Sequence, residues 1–426
     1  MRVLLTGATG LIGSAVFARL RSEGHLVVGL THGYPRKVTP DWITLDIAHA
    51  TDPKVWLPHL AGVEAVVNCA GVLQDSPHDS TKGVHHDGVV ALFSACEQAG
   101  VRRVVHVSAI GLDRDTPTAF SRSKLAGDRA LMALKLDWII LRPSVVVGRQ
   151  AYGGSALIRG LATLPVLPEV PDAGMLQIVQ LDDLVRTIQF FVNPNSPARI
   201  VLEIAGPDRL ALTDVVRAYR QWLGWGEPRL VHLPTWLFTT MYGVGDFIGS
   251  LGWRAPMRST ARMELTRGAV GDPIEWTRIT AIVPQPLSKA LAAEPASVQE
   301  RWFAQLYLLK PLVLGILSLF WIVTGLISVG PGWTIGMSLL TEGGFAKLGP
   351  FAIMAGAAAD TLIGINIAFR RTARIALYTA LLLSLVYVVI GTILAPWLWI
   401  DPLGPMLKIG PIMVLHLVAI AILSDR

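Results

Sequence analysis

Apolar positions along this chain fall into two textures. The first occupies roughly the opening two thirds, where short apolar, β-branched runs alternate with stretches of helical spacing. Arg2–Thr6 reads as a strand, and residues 14–23 as a helix carrying Ala15, Val16 and Leu20 on one side, with Gly24 as its stop. Further strands are predicted at His25–Leu30, Trp42–Leu45, Ala65–Asn68, Arg103–Val107 and Trp138–Leu141, with an amphipathic helix over residues 83–99. Strands alternating with helices predict a parallel, doubly wound α/β sheet with its ligand at the strand C-termini. The second texture begins at Lys310. Pro311–Val329 carries no charge, Leu348–Phe369 one acid, Ile375–Leu394 none, and Ile409–Leu423 one histidine. A membrane span needs about 20 apolar residues, so four transmembrane helices are predicted. The expected organisation is a doubly wound α/β domain over residues 1–150, a smaller portion and linker over 151–300, and an all-α four-helix transmembrane bundle over 301–426.

Composition supports the membrane part. Hydrophobic residues make up 52% of the 426 and charged residues 16%, with a mean hydropathy of +0.50. The net charge of +6 is modest, and no basic block is interleaved with aromatics, which excludes a nucleic-acid binder. Cys69 and Cys96 lie in apolar surroundings without metal-ligand spacing and read as core thiols of a reduced compartment. His85 and His86 are adjacent and cannot share a helix face, so no metal site is expected. Trp333, Trp397 and Trp399 sit near span ends, as an aromatic belt requires. Arg370, Arg371 and Arg374 mark the loop between the second and third spans as cytoplasmic. No signal peptide precedes the first strand. Four spans then put the N-terminal domain on the cytoplasmic side of the (bacterial) cytoplasmic membrane.

The chemistry concentrates in the first turn. Gly7, Gly10 and Gly13 stand between a strand and a helix, the unit that aims backbone N–H groups and a helix N-terminus at a diphosphate. Gly7 permits the tight turn, Gly10 the approach of the phosphates, and Gly13 close packing of helix on strand. No acid ends the second strand, while Arg36 and Lys37 follow it and suit a ribose 2′-phosphate. This favours NADP, with NAD as the alternative. Asp46 ends the third strand, suited either to the adenine amino group or to a helix cap or turn. Ala70 and Gly71 close the fourth strand beneath the cofactor.

TGATGLIG at 6–13, Asp46, NCAG at 68–71, VSA at 107–109, Lys124 and LRPSVVVG at 141–148 together resemble the short-chain dehydrogenase/reductase superfamily, in its extended or atypical branch. They are similar to the nucleotide-binding accessory subunit of respiratory complex I. The resemblance covers about residues 1–290, and makes 1–150 a dinucleotide-binding Rossmann domain and 151–300 a substrate-binding portion and linker. It implies dinucleotide contacts from Gly7, Thr9, Gly10, Leu11, Ile12, Gly13, Ala70, Gly71, Lys124 and Pro143, and a site pairing Ser108 with Lys124. The family's catalytic tyrosine falls on Phe120, which has no proton to give. Lys124 can hold the ribose and its amine can serve as the acid, while Ser121 and Tyr152 are other donors within the sequence.

The four-helix tail resembles the DoxX-like family, some members of which are tied to quinone-linked redox chemistry. Gly356, Asp360 and Gly364 share one face of the second span, with the acid near mid-membrane and His416 on the fourth span as its candidate partner. Asp182 and Asp183 read as caps of a helix, and residues 234–253 as an interfacial helix, the wall of a lipophilic pocket, or a buried helix. Two functions remain open. One is a membrane-anchored NAD(P)(H)-dependent oxidoreductase acting on a quinone, isoprenoid or lipid-linked substrate. The other is a non-catalytic dinucleotide-binding scaffold or redox-sensing partner of a membrane complex. A sugar-nucleotide epimerase or dehydratase is a weaker third, because that chemistry leans on the missing tyrosine.

Overall fold

The computed structural model describes residues 1–33, 41–77 and 79–423. It divides into two units: Met1–Phe247 with Ala255–Arg301, and Ile248–Arg254 with Trp302–Arg426.

The first unit is built on a parallel sheet. Its strands are β1 (Arg2–Thr6), β2 (Leu26–Thr31), β3 (Trp42–Thr44), β4 (Ala65–Asn68), β5 (Arg103–Val107), β6 (Asp137–Pro143) and β7 (Ile200–Ile204). Their order is β7-β6-β5-β4-β1-β2-β3, every pair parallel. The order reverses between β1 and β4, which opens a crevice at their C-terminal ends. Val3, Leu5, Val67, Val105, Ile139 and Leu141 face one apolar layer with α1 (Leu11–Ser22) and the later helix Leu181–Val192. Leu4, Val66, Val104 and Ile140 face the other, with α2 (Gly88–Ala99). Burial on both faces explains why these strands read as unbroken apolar runs.

Three features differ from the sequence expectation. The helix α1 begins at Leu11 rather than Ser14, because Gly10 is its N-cap and Gly13 is accommodated inside it. The 83–99 stretch opens with a π turn, Gly83–Asp87, before α2. The strand β7 lies far along the chain in the portion assigned to substrate binding, so a boundary at residue 150 cuts through the sheet. Its entry is pinned by Arg103 at the start of β5, whose guanidinium donates to the carbonyls of Pro194, Ser196 and Pro197.

Among the described residues four helices are long and apolar enough to cross a membrane: Val298–Val329, which enters the second unit at Trp302, then Gly349–Ala368, Ala373–Leu394 and Pro405–Ile422 within it. A further helix, Trp333–Glu342, lies between the first two and was not foreseen. Leu317, Trp321, Ile363, Ile367, Leu377, Ala380 and Ala419 form the inner contact. The first two spans approach closely at Gly364, where a Cβ would lie 2.6 Å from the Ser318 carbonyl oxygen, and the Ser318 hydroxyl donates to the Gly364 carbonyl at 2.7 Å. The expected pairing of Asp360 with His416 is not found. Asp360 accepts from the Tyr387 hydroxyl at 2.8 Å. His416 instead accepts from Trp321 Nε1–H at 2.8 Å, with its Nδ1 on the Ile412 carbonyl. Both acid and imidazole are buried, each satisfied by an aromatic side chain of a neighbouring span.

Candidate functional site

The first wall of the crevice is the β1–α1 turn. Gly7 sits at φ +65, and a Cβ there would lie 2.7 Å from the backbone of Cys69 and Ala70 at the end of β4. A Cβ on Gly13 would lie 2.1 Å from the Gly7 carbonyl oxygen. Both positions therefore require glycine, one for conformation and contact, the other for contact alone. Gly10 has no side chain with which to cap the helix. The first-turn N–H groups of Leu11, Ile12 and Gly13 thus keep their anion-binding capacity. No acidic residue occupies that first turn. A Cβ on Gly10 would meet only the Gly7 carbonyl oxygen, so the turn is open on its outer side. This cradle fits a dinucleotide diphosphate.

At the adenine end, Asp46 follows β3. Its Oδ1 accepts from the Ala48 N–H at 3.0 Å, and its Oδ2 pairs with His49 Nδ1 at 2.6 Å. His32, just beyond β2, reaches the same carboxylate at 3.3 Å. Burial raises the pKa of Asp46, but the bonds from His49 and Ala48 outweigh it and the net shift is downward. Asp46 therefore makes the turn contact and keeps partial exposure toward the β2 end. Arg36 and Lys37 lie outside the described residues.

At the opposite end, Ala70 and Gly71 leave β4, Ser108 leaves β5, and Pro143 ends β6. The helix α3 (Ala119–Met132) brings Lys124 beneath them. Lys124 is buried, and its Nζ donates to the Val107 carbonyl at 2.9 Å. Gly71 is the gap above it: a Cβ there would stand 3.4 Å from Lys124 Nζ and 3.5 Å from His85 Nε2. Burial pulls the Lys124 amine down to about 8, against the opposing charge of Asp128. The Ser108 hydroxyl is buried beside the Asp128 carboxylate, whose ionised form it helps to stabilise.

The two alternative proton donors both sit at helix starts. The Ser121 hydroxyl is spent on the helix cap, bonding the backbone and hydroxyl of Thr118. Tyr152 precedes the helix Gly154–Leu161, where its backbone groups bond the Ser155 hydroxyl. Phe120 packs edge-on against the His85 ring at 5.4 Å. Asp182 and Asp183 do lie in the first turn of their helix, Asp183 bonded to Arg186 at 2.9 Å.

Sequence reasoning missed a buried polar network under Lys124. The Thr6 hydroxyl donates to Asn68 Oδ1 at 2.5 Å, and the Ala70 N–H donates to the same oxygen. The Asn68 amide donates to His106 Nδ1 at 2.8 Å. His106 Nε2 then faces Asp128 Oδ1 at 3.4 Å, while Arg142 grips Asp128 Oδ2 from two nitrogens at 3.1 Å. Burial lowers the pKa of His106, which stays neutral with its proton on Nε2. Burial tends to raise Asp128, but His106, Ser108 and Arg142 together hold it below the ordinary carboxylate range. His85 is also buried, its Nε2 accepting from the Val72 N–H at 3.0 Å and its Nδ1 against the Ser123 hydroxyl. Burial, then Lys124 and His106, hold it neutral. The signal was present: Asn68, His106 and Arg142 are polar residues inside otherwise apolar strands, and Asp128 is one turn beyond Lys124.

Comparison with known proteins agrees with this geometry. Residues 7–160 match the NAD(P)H-binding family model, and residues 318–417 match the DoxX-like family. Fold, crevice and family match together define an NAD(P)H-binding Rossmann domain. More particularly, this chain joins that Rossmann domain to a C-terminal DoxX-like domain with four apolar helices. A protein of Mycobacterium tuberculosis is 28% identical over 224 residues, covering 51% of this chain and 23% of its own length. The chain therefore spans less than a quarter of the relatives matched first. The ceramide reductase of Caulobacter vibrioides is 26% identical over 237 residues, covering 54% of this chain and 73% of that enzyme. Among solved structures, MoeE5 in complex with UDP-glucuronic acid and NAD superposes with a TM-score of 0.52 at 20% identity, over 68% of this chain and 97% of that one. Likeness at that identity speaks for the fold.

Proposed function

We propose that this protein is a membrane-anchored, NADP(H)-dependent reductase of a lipophilic carbonyl or quinone, with Lys124 as its proton donor. The observation that carries the reading is the Lys124 amine: buried at the crevice, bonded to a backbone carbonyl and brought down to about 8. An acid of that strength is protonated at neutral pH yet able to release its proton.

In this reading the turn of Gly7, Thr9, Gly10, Leu11, Ile12 and Gly13 holds the diphosphate. Asp46 takes the adenine, Arg36 and Lys37 the 2′-phosphate, and Ala70, Gly71 and Pro143 line the nicotinamide end. The bound dinucleotide supplies a hydride for the substrate carbonyl carbon. Ser108 orients the substrate oxygen, and Lys124 donates to the ribose and passes its proton to that oxygen as it becomes an alcohol, recovering one from water. The four apolar helices on the same chain support a substrate drawn from the bilayer, and the Caulobacter relative is named for reducing a lipid. Arg370, Arg371 and Arg374 with an even number of spans support a cytoplasmic Rossmann domain in the cytoplasmic membrane.

A second reading, a dinucleotide-binding scaffold or sensor within a membrane complex, is favoured by Phe120, which leaves the family's tyrosine position without a hydroxyl. The test is NADPH absorbance on detergent-purified protein with long-chain ketones and short-chain quinones, wild type against Lys124→Ala. Turnover lost in the variant, with NADPH still bound, supports the reductase. Tight NADPH binding without oxidation by any acceptor supports the scaffold.

A further inference from the structure

The helix Thr235–Ser250, α4 here, divides its surface in an unusual way. Phe238, Tyr242, Gly245 and Gly249 recur along one face and are buried. Gly245 is obligatory there, since a Cβ would lie 1.7 Å from the Met257 carbonyl oxygen. The opposite face carries Trp236, Thr240, Gly243, Val244 and Phe247, all exposed and none charged. Trp236 is 67% and Val244 51% exposed. The helix's one acid, Asp246, is turned away from that face and held by Arg258 Nε at 3.1 Å and the Ser259 hydroxyl at 2.5 Å. At about 24 Å long it is too short to cross a bilayer.

What this face meets is indicated by where the helix ends. Ile248–Arg254 belong to the helical unit. Within that unit, Trp253 Nε1 donates to the carbonyl of Ala368, the last residue of the second span, at 2.6 Å. The Arg370 N–H donates to the Leu251 carbonyl at 3.2 Å, and its guanidinium lies 5.4 Å from the Trp253 ring centroid. The end of a span, with a tryptophan and an arginine stacked beside it, is the level at which hydrocarbon gives way to headgroups. The residues that close the helix thus run directly into that boundary segment, and the helix presents an uncharged, Trp-bearing face along its length.

We propose that α4 is an interfacial helix whose Trp236–Val244 face lies in the headgroup–acyl boundary of a lipid bilayer. The partner is a lipid surface, recognised by apolar burial without a charge to desolvate. The proposal stands apart from the reading of Lys124 and survives or fails without it.

The test uses the full chain in phosphatidylcholine–phosphatidylglycerol vesicles with single nitroxide labels at Trp236→Cys, Thr240→Cys and Val244→Cys. Lys54→Cys on the exposed surface of the Rossmann unit is the aqueous reference, and Leu382→Cys, exposed on the third span, the lipid reference. Cys69 and Cys96, both free and with thiols pushed up to about 12 by burial, resist labelling, and unsubstituted protein checks this. The proposal expects collision with oxygen over a water-soluble nickel complex to rise at least threefold above Lys54 at all three positions, toward the Leu382 value. Labels as open to nickel as Lys54 would overturn it by placing the face in water. Labels shielded from both reagents would overturn it by showing a protein cover, such as a second copy of the chain.

Discussion

Lys124 Nζ is bonded to the carbonyl of Val107, the last residue of β5, at 2.9 Å. That bond fixes the amine at the C-terminal edge of the sheet, one residue before Ser108 and beside the gap left by Gly71. A cation held by a backbone dipole, with the opposing carboxylate of Asp128 already gripped by Arg142, is a cation only partly compensated. Its chemistry and its cost to stability both follow from this.

The proton-donor role predicts a pH profile. Reduction rate is expected to be flat below about pH 8 and to fall tenfold per unit above it, as the Lys124 ammonium is lost. Lys124→Ala should lower kcat by about a hundredfold or more at pH 7. Stopped-flow NADPH oxidation between pH 6 and 10 reads both.

The same amine predicts how stability changes with pH. The folded value of about 8 lies below the 10.5 of the free side chain, so between these pH values the unfolded chain binds more protons. Stability should therefore rise with pH across about 8 to 10.5 through this group, and below pH 8 the buried charge costs on the order of 3 kcal/mol. Lys124→Met should raise the unfolding midpoint at pH 7 and remove this share of the pH slope, as read by thermal unfolding of full-length protein in detergent.

The glycine cradle predicts a loss of binding without loss of chemistry elsewhere. Gly13→Ala places a Cβ 2.1 Å from the Gly7 carbonyl oxygen and must push helix from turn. Affinity for NADPH should fall by more than tenfold, measured by calorimetry. Gly24→Ala, where a Cβ would meet nothing within 4 Å, should leave affinity unchanged despite the positive φ it strains.

In the membrane unit, Tyr387→Phe removes the donor to Asp360. The loss should be about 1 kcal/mol, near what interhelical hydrogen bonds contribute in bilayers, and should appear as a small fall in the melting temperature. His416→Phe should leave the Asp360 contact intact, because its own partner is Trp321.

Much of the fold was legible in the sequence, for physical reasons that differ by element. Arg2–Thr6 and Ala65–Asn68 are apolar on both faces and flanked by glycine, so their bounds follow from composition. The four spans are legible because a bilayer demands length and apolarity together. Ile200–Ile204 was missed because it pairs with β6 across about sixty residues of chain, a contact no local pattern encodes. Asp360 and His416 were assigned to each other because both are polar in an apolar field, yet which span faces which is a matter of packing. The His106–Asp128–Arg142 network was hidden for the same reason, since strand register and not spacing brings Asn68 opposite His106.

The central claim, that the crevice delivers a hydride to a lipophilic acceptor, is tested most directly by isotope transfer. Full-length protein in vesicles containing a bacterial lipid extract is given NADPH deuterated at the transferable position, and the lipids are analysed by mass spectrometry. The account predicts deuterium in a reduced lipid or quinol, with Lys124→Ala abolishing it. NADPH bound to the protein but recovered with its deuterium intact, across ketone and quinone additions alike, would contradict it.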